Sequence, residues 1–403
     1  MKDMAHKSQV QEPLWTRDFI NVTVVNFLMY MVHFALFVTV TSYTIHAFHT
    51  SESLGGLAAG IFIIGMLFGR LVAGRFIDSI QLKYMLIFGV IFSFVAVALY
   101  YTAATLVILY VVRFIHGLAF GIGSNATSSM ASKVVPASRK GEGIGYYSLS
   151  NILASAIGPF VGILISQQAS FQHIFLFGLI FIVIAFILSL FIKRIPVARS
   201  NDKQNQPKGW KAFLQPEALP ISIVIFIIGI CYSSILSYIK SFAETMDLVT
   251  ASSLFFIFYA VISFISRPFT GKIFDHKGAN FIMFPTFILF ALGLITLASS
   301  VNTWLIILAA IFVGLGYGTL VPSSQTIAIQ QSPADKMGLA TSTFFICLDL
   351  GSGIGPFVLG FVISAIGYRW LYIAIAIVVL LAMCLYYYVQ RRYRYTNPNT
   401  HTS

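Results

Sequence analysis

The chain has 403 residues, 58% of them hydrophobic and 9% charged, with a mean hydropathy of +0.87 and a formal net charge of +12. A soluble domain carries about 25% charged residues, so this composition excludes a water-soluble enzyme or binding module. The apolar runs are continuous rather than alternating, which excludes a β-barrel, and roughly 30 residues per span and loop allow twelve to thirteen crossings.

Residues 1–18 are polar and read as a cytoplasmic segment. Apolar runs then predict twelve helices, at 19–48, 53–77, 84–103, 105–134, 141–166, 172–193, 219–245, 251–274, 280–299, 303–330, 337–365 and 369–390. No small-residue cleavage site follows the first, so it is a retained span rather than a signal peptide. The charged, Pro-containing stretch 194–218 separates six spans from six and reads as a cytoplasmic linker. The expected plan is an all-α membrane protein of two pseudo-symmetric six-helix bundles, 19–193 and 219–390, with a cytoplasmic tail at 391–403.

With both termini inside, all but three of the 25 Lys and Arg fall on the cytoplasmic side; Lys240 and Arg369 lie outside and Arg113 within a span. The basic balance therefore reports topology and contact with anionic lipid, not a nucleic-acid partner. Cys231, Cys347 and Cys384 all fall in predicted spans, where core packing is the simplest role. No phosphate loop ending in GK[ST], nucleophile elbow or Cys/His cluster is present, so no cofactor or metal is expected and an ion gradient must supply the energy.

Along the spans, polar residues are few enough to take one by one. In the first, Asn26, Tyr30 and His33 share one face by i, i+4, i+7 spacing; they either line a substrate cavity or make helix–helix hydrogen bonds. From the end of the second span, GRLVAGRFIDSIQLKYML is answered by SRPFTGKIFDHKGANFIM, so that Arg70, Gly74 and Asp78 recur as Arg267, Gly271 and Asp275, each 197 positions later. The same offset carries Gly117 and Gly121 onto Gly314 and Gly318, Pro136 onto Pro333, and AIGPFV from Ala156 onto GIGPFV from Gly353. A parallel repeat of six spans is a standard transporter plan.

The fourth span carries Arg113, His116 and Gly117; an Arg keeps its proton, but its field acts on neighbours such as His116, one turn on. The alternative for Arg113 is a brace to backbone carbonyls. In the fifth, Gly158, Pro159 and Gly162 open the hydrogen-bond ladder and allow close packing. Tyr232, Tyr238 and Lys240 in the seventh and Gln325 in the tenth are further cavity candidates, with snorkelling outwards the alternative for Lys240. In the eleventh stands Asp349, the one of 13 acids placed inside a span rather than in a tail, loop or span end. It lies about 18 Å along its helix from the cytoplasmic end, close to mid-bilayer, where a charged Asp costs about 2.5–3.5 kcal/mol on insertion scales. Such an acid gains and loses a proton, pairs with a cationic substrate, or hydrogen-bonds between helices.

These motifs resemble the major facilitator superfamily, and the resemblance covers nearly the whole chain. Gly74, Asp78 and Lys83 match its Gly-x-x-x-Asp-and-basic loop, although Gln81 and Leu82 depart from it. The resemblance implies a latch closing the halves on the cytoplasmic side, formed by Arg70, Gly74, Asp78, Lys83, Arg267, Gly271 and Asp275. Arg113, His116 and Gly117 are similar to its Arg-x-x-(Gln or His)-Gly pattern, which implies proton coupling through Arg113, with Asp349, His116 and His33 as titrating candidates. Gly158, Pro159 and Gly162 resemble the Gly-Pro-x-x-Gly motif of proton-coupled antiporters, with Leu149 and Ile163 in place of flanking glycines. Together they imply export of a drug-like compound or metabolite by proton antiport across the cell membrane, through a monomer with both termini cytoplasmic. The partners implied are the small-molecule substrate, protons and the bilayer, and the substrate cavity would draw on Asn26, Tyr30, His33, Tyr232 and Gln325. The alternatives are proton-coupled uptake of a sugar or organic ion, and a transporter-like ligand sensor or lipid-moving protein without proton coupling.

Overall fold

The computed structural model describes residues 13–76, 80–136, 139–168, 170–194, 214–333 and 336–396. Its helices are α1 (Arg17–Phe48), α2 (Glu52–Phe76), α3 (Leu82–Leu99), α4 (Leu106–Val134), α5 (Lys140–Gln168), α6 (Phe171–Leu190), α7 (Leu219–Glu244), α8 (Val249–Lys277), α9 (Ala279–Ala298), α10 (Thr303–Gln330) and α11 (Met337–Thr396). All eleven are long and apolar enough to cross a membrane. The last contains two spans: Gly367 breaks it with φ 79° and ψ 169°, a backbone conformation that a residue without Cβ adopts at no steric cost. The eleventh and twelfth predicted spans are thus joined by one glycine rather than by a loop.

The internal repeat holds at the level of contacts. A Cβ at Gly117 would strike the carbonyl oxygen of Phe62, and one at Gly121 that of Met66, so α4 lies directly on α2. In the second half Gly314 meets Tyr259 and Gly318 meets Ser263, the positions 197 further along in each case. The helix starts repeat as well: Thr105 caps α4 by accepting from Ile108 N (3.3 Å), and Asn302 caps α10 by accepting from Leu305 N (3.0 Å).

The two groups of helices, α1–α6 and α7–α11, meet along α2 with α11, α5 with α8, and α1 with α7. The α2–α11 contact is closest. A Cβ at Gly56 would collide with Pro356, one at Gly60 with Gly353, and one at Gly360 with Ser53. All of these lie toward the face that carries the end of α1 and the start of α2, the face opposite the linker.

That same face is closed by a polar lock. Lys240 Nζ donates to Ser42 Oγ and to Glu244 (both 2.8 Å), Ser42 Oγ donates to Glu244 (2.9 Å), and His46 Nε2 is 3.3 Å from Glu244. Tyr238 Oη donates to the carbonyl oxygen of Glu52 (2.8 Å), and Gln167 accepts from Thr250 (3.5 Å). Lys240 is therefore not snorkelling outwards; it is 3% exposed and spent on joining α1 to α7. A hydrogen bond to a charged group contributes about 1.5–3 kcal/mol. Lys240→Met is accordingly expected to shift the population about tenfold toward states open on this face. Spin labels at Phe48 and Thr245 would report it as a longer, broader distance distribution; an unchanged one would mean the lock holds nothing.

Toward the linker face the halves part. Gly74, Gly271 and Gly338 have nothing within 4 Å of an added Cβ. Among the described residues, every hydrogen bond between the halves belongs to the opposite face, with one exception.

Candidate functional site

The exception is an ion pair deep in the cleft: Arg70 Nη1, from α2, bonds Asp349 Oδ2, from α11. It joins the halves where the α2–α11 contact ends and the cleft begins. Both side chains keep partial exposure, 29% and 19%, so the pair is reachable from the cleft. Tyr30 of α1 stands beside both charged groups, and Asn125 of α4 donates to the Arg70 carbonyl oxygen (3.4 Å). Neighbouring turns of a helix cannot bring these residues together; the packing of the two halves does.

An aromatic triad flanks the pair on each side. In the first half His33 of α1 is stacked on Phe62 of α2 at 4.5 Å between ring centroids, and lies 5.1 Å from Phe120 of α4. In the second half Tyr232 of α7 is stacked on Tyr317 of α10 at 3.7 Å and lies 5.8 Å from Tyr259 of α8. Phe62 and Tyr259 are repeat mates, as are Phe120 and Tyr317. Each half thus inserts a ring from its first helix between two repeat-related aromatic positions. The walls differ in chemistry: the second has three hydroxyls, while the first offers one imidazole whose buried Nδ1 has no hydrogen-bond partner. Tyr317 is within electrostatic reach of Asp349, and Tyr30 packs on Phe120 at 4.9 Å, so the charged pair and both triads belong to one site.

The other expected site residues lie around this centre. Arg113 is fully buried behind Phe62 (4.7 Å to the ring centroid). It donates through Nε to Ala58 O (2.7 Å), through Nη2 to Ala59 O (3.4 Å) and through Nη1 to Tyr100 Oη (3.3 Å), the arrangement of a brace between α4 and α2. His116 sits in the same place, its Nδ1 3.2 Å from Tyr100 Oη. Asn26 is buried, and its amide is engaged by Ser150 (2.9 Å), Asn151, Thr127 (3.0 Å) and Tyr147 (2.8 Å). It ties α1 to α4 and α5, although on the same helix Tyr30 stands at the charged pair and His33 is buried between Phe62 and Phe120. Gln325 of α10 is half-buried. Gly158 and Gly162 let α5 lie against Phe34 and Ala35 of α1, with Pro159 between them inside the helix.

Of the expected latch, Gly74, Gly271 and Arg267 are exposed, and Lys83 Nζ donates to Leu190 O (2.9 Å) within its own half. Asp78 lies outside the described residues, as does the side chain of Asp275. Arg70, grouped with the latch by its motif, is the member that meets Asp349. The rings of Phe62, Phe120, Tyr259 and Tyr317 are site members that no motif marked.

The family model described as Major Facilitator Superfamily matches residues 22–356 and, in a second match, 278–402. An MFS-type transporter of Methanocaldococcus jannaschii, itself described as uncharacterized, is 24% identical over 327 residues, covering 79% of this chain and 84% of that one. The "Multidrug resistance protein MdtG" of Rahnella sp. is 25% identical, covering 80% of each chain, and "Multidrug resistance protein 1" of Bacillus subtilis is 20% identical, covering 86% and 90%. Among solved structures, a bacterial homolog of the lysosomal transporter Spinster, inward-facing and unoccupied, superposes with a TM-score of 0.79 at 15% identity, covering 95% of this chain and 98% of that one. The nucleoside transporter NupG gives 0.73 at 14% identity, covering 91% and 98%.

Proposed function

The chain belongs to the Major Facilitator Superfamily, and from that premise we propose that it exports a small molecule by proton antiport, with Asp349 as the coupling carboxylate. The observation that carries this reading is the Arg70–Asp349 pair, which spans the halves at the point where both aromatic triads converge.

The chemistry follows from competition for one carboxylate. Asp349 is held by Arg70, by a proton or by a positively charged or hydrogen-bond-donating substrate. Protonation removes the negative charge that holds Arg70 or a cationic substrate, and a cationic substrate competes with Arg70 for the same oxygens. Proton and substrate are then alternatives, which is the condition for antiport. When Asp349 is protonated the cross-half ion pair is lost, and the Tyr30 hydroxyl beside it offers Arg70 an acceptor. The aromatic rings bury the apolar body of the substrate and contribute about 0.5–1.5 kcal/mol per well-placed ring pair beyond burial. Rocking of the α1–α6 bundle against the α7–α11 bundle then exposes the site to one side or the other. The lock at Lys240 and Glu244 holds the outer face shut, and the helix ends that carry Gly74 and Gly271 close the cytoplasmic face in the alternate state. The positive-inside bias puts the linker face, and both termini, in the cytoplasm, and a single copy holds the entire site.

Export is favoured over uptake by the relatives described as multidrug resistance proteins. Membrane vesicles test the direction. Under an imposed proton gradient, accumulation of fluorescent drug-like compounds is expected in inverted vesicles and not in right-side-out ones. The reverse would make the protein an uptake symporter, and accumulation in neither would favour a sensor or lipid-moving role.

A further inference from the structure

We propose that Arg267 is a second charged anchor of the cleft, and that the substrate is an aromatic zwitterion whose cationic group is taken by Asp349 and whose anionic group is taken by Arg267. The inference rests on the reading of the cleft as the substrate site and adds the chemical class of its occupant.

The internal repeat makes the case. Arg267 on α8 is the mate of Arg70 on α2, but the mate of Asp349 in α5 is Ile152. At the repeat position that holds the carboxylate partner of Arg70, the first half thus has an aliphatic residue in place of an acid. Arg267 makes no ion pair among the described residues, and it is exposed at the parted side of the molecule. Its guanidinium is within electrostatic reach of Tyr259, and Tyr259 belongs with Tyr232 to the triad whose third member, Tyr317, senses Asp349. A cation and a carboxylate therefore bracket one hydroxylated aromatic wall. The mates of Tyr259 and Tyr317 in the first half are Phe62 and Phe120, so at these two repeat positions the hydroxyls belong to the second half.

Charge balance then selects the occupant. Arg113 is committed to carbonyl oxygens, and among the described residues Arg70, Arg267 and Asp349 are the charges on which the proposal rests. A simple cation would gain Asp349 but be repelled by Arg267, and a simple anion the reverse. A ligand with both charges at opposite ends of an aromatic body satisfies both and stacks on the tyrosines between them. Arg is suited to the anionic end, since its planar fork binds carboxylate in a bidentate manner.

The probes are 4-(aminomethyl)benzoate, benzylamine and benzoate, one ring bearing both charges or either alone, titrated into the purified full-length protein. The zwitterion is expected to bind at least about tenfold tighter than either single-charge analogue, a difference of about 1.4 kcal/mol. Arg267→Gln should weaken the zwitterion about tenfold and tighten benzylamine, since the repulsion is gone. Arg267→Lys should restore part of the zwitterion's affinity, and thermal unfolding of both variants should match the wild type because the side chain is exposed. The proposal is overturned if the wild type prefers benzylamine, if the zwitterion does not bind, or if Arg267→Gln changes all three probes equally. A separate arm tests the underlying reading: if Asp349→Asn leaves benzylamine binding unchanged, the cleft is not the cation site and that reading fails, whatever Arg267 does.

Discussion

Asp349→Asn is expected to lower gradient-driven accumulation in inverted vesicles by about a hundredfold, the equivalent of about 2.7 kcal/mol, while the protein still reaches the membrane and folds. Asparagine keeps the size of the side chain and can still accept a hydrogen bond from Arg70, but it cannot take up and release a proton. Truncating one partner of a fully buried ion pair costs about 3–5 kcal/mol because the other charge is left uncompensated. Here the penalty is smaller, since Arg70 and Asp349 keep 29% and 19% exposure and Tyr30 remains beside the guanidinium. Loss of transport should therefore exceed loss of stability. Arg70→Gln makes the complementary case: it leaves a carboxylate that still binds protons but no cation to compete with them. Downhill exchange should survive in that variant while coupling to the gradient weakens. Equal loss of transport and thermal stability in both variants would mark the pair as a structural strut.

Gly60→Val should trap the opposite conformation. A Cβ at Gly60 meets the carbonyl oxygen of Gly353 across the halves, and backbone cannot move aside as a flexible side chain can. The overpacking penalty, about 1–3 kcal/mol, falls on the state in which α2 and α11 touch at the outer face and is relieved when they separate. The variant should populate the outward-open state, lengthen the Phe48–Thr245 spin-label distance and slow turnover at least about tenfold. Gly117→Val provides the contrast. Its Cβ would meet Phe62 O with equal severity, but within one half, where no rocking relieves it. That variant should lose thermal stability without a shift between states. If both variants behaved alike, the division of glycines into packing within and between halves would be wrong.

The fold was legible in the sequence because its two determinants are local and repeated: apolar runs of spanning length and small residues at a fixed offset. Even the contacts could have been read further, since Phe62 and Tyr259 stand at that offset, as do Phe120 and Tyr317. Nothing lifted them out of 38 Phe and 19 Tyr until the glycines on the facing helices fixed which rings approach each other. Asp349 was legible as the lone acid inside a span. Its partner was not, because Arg70 belongs to a motif whose expected place is a cytoplasmic loop, and the pairing depends on how far one half tilts on the other. Helical spacing also overreached. It placed Asn26, Tyr30 and His33 on one face, but a helix wedged among α2, α4 and α5 has no single environment along its length. Asn26 satisfies α4 and α5, whereas Tyr30, one turn on, meets the Arg70–Asp349 pair and His33, two turns on, is buried in the aromatic triad.

The most direct measurement is proton release from purified protein when transported compounds are added at fixed pH. Wild type should release protons on binding and Asp349→Asn should release none, although both bind and both remain folded. Normal release from Asp349→Asn would contradict the account, leaving Asp349 a structural acid and moving the proton to His33 or His116.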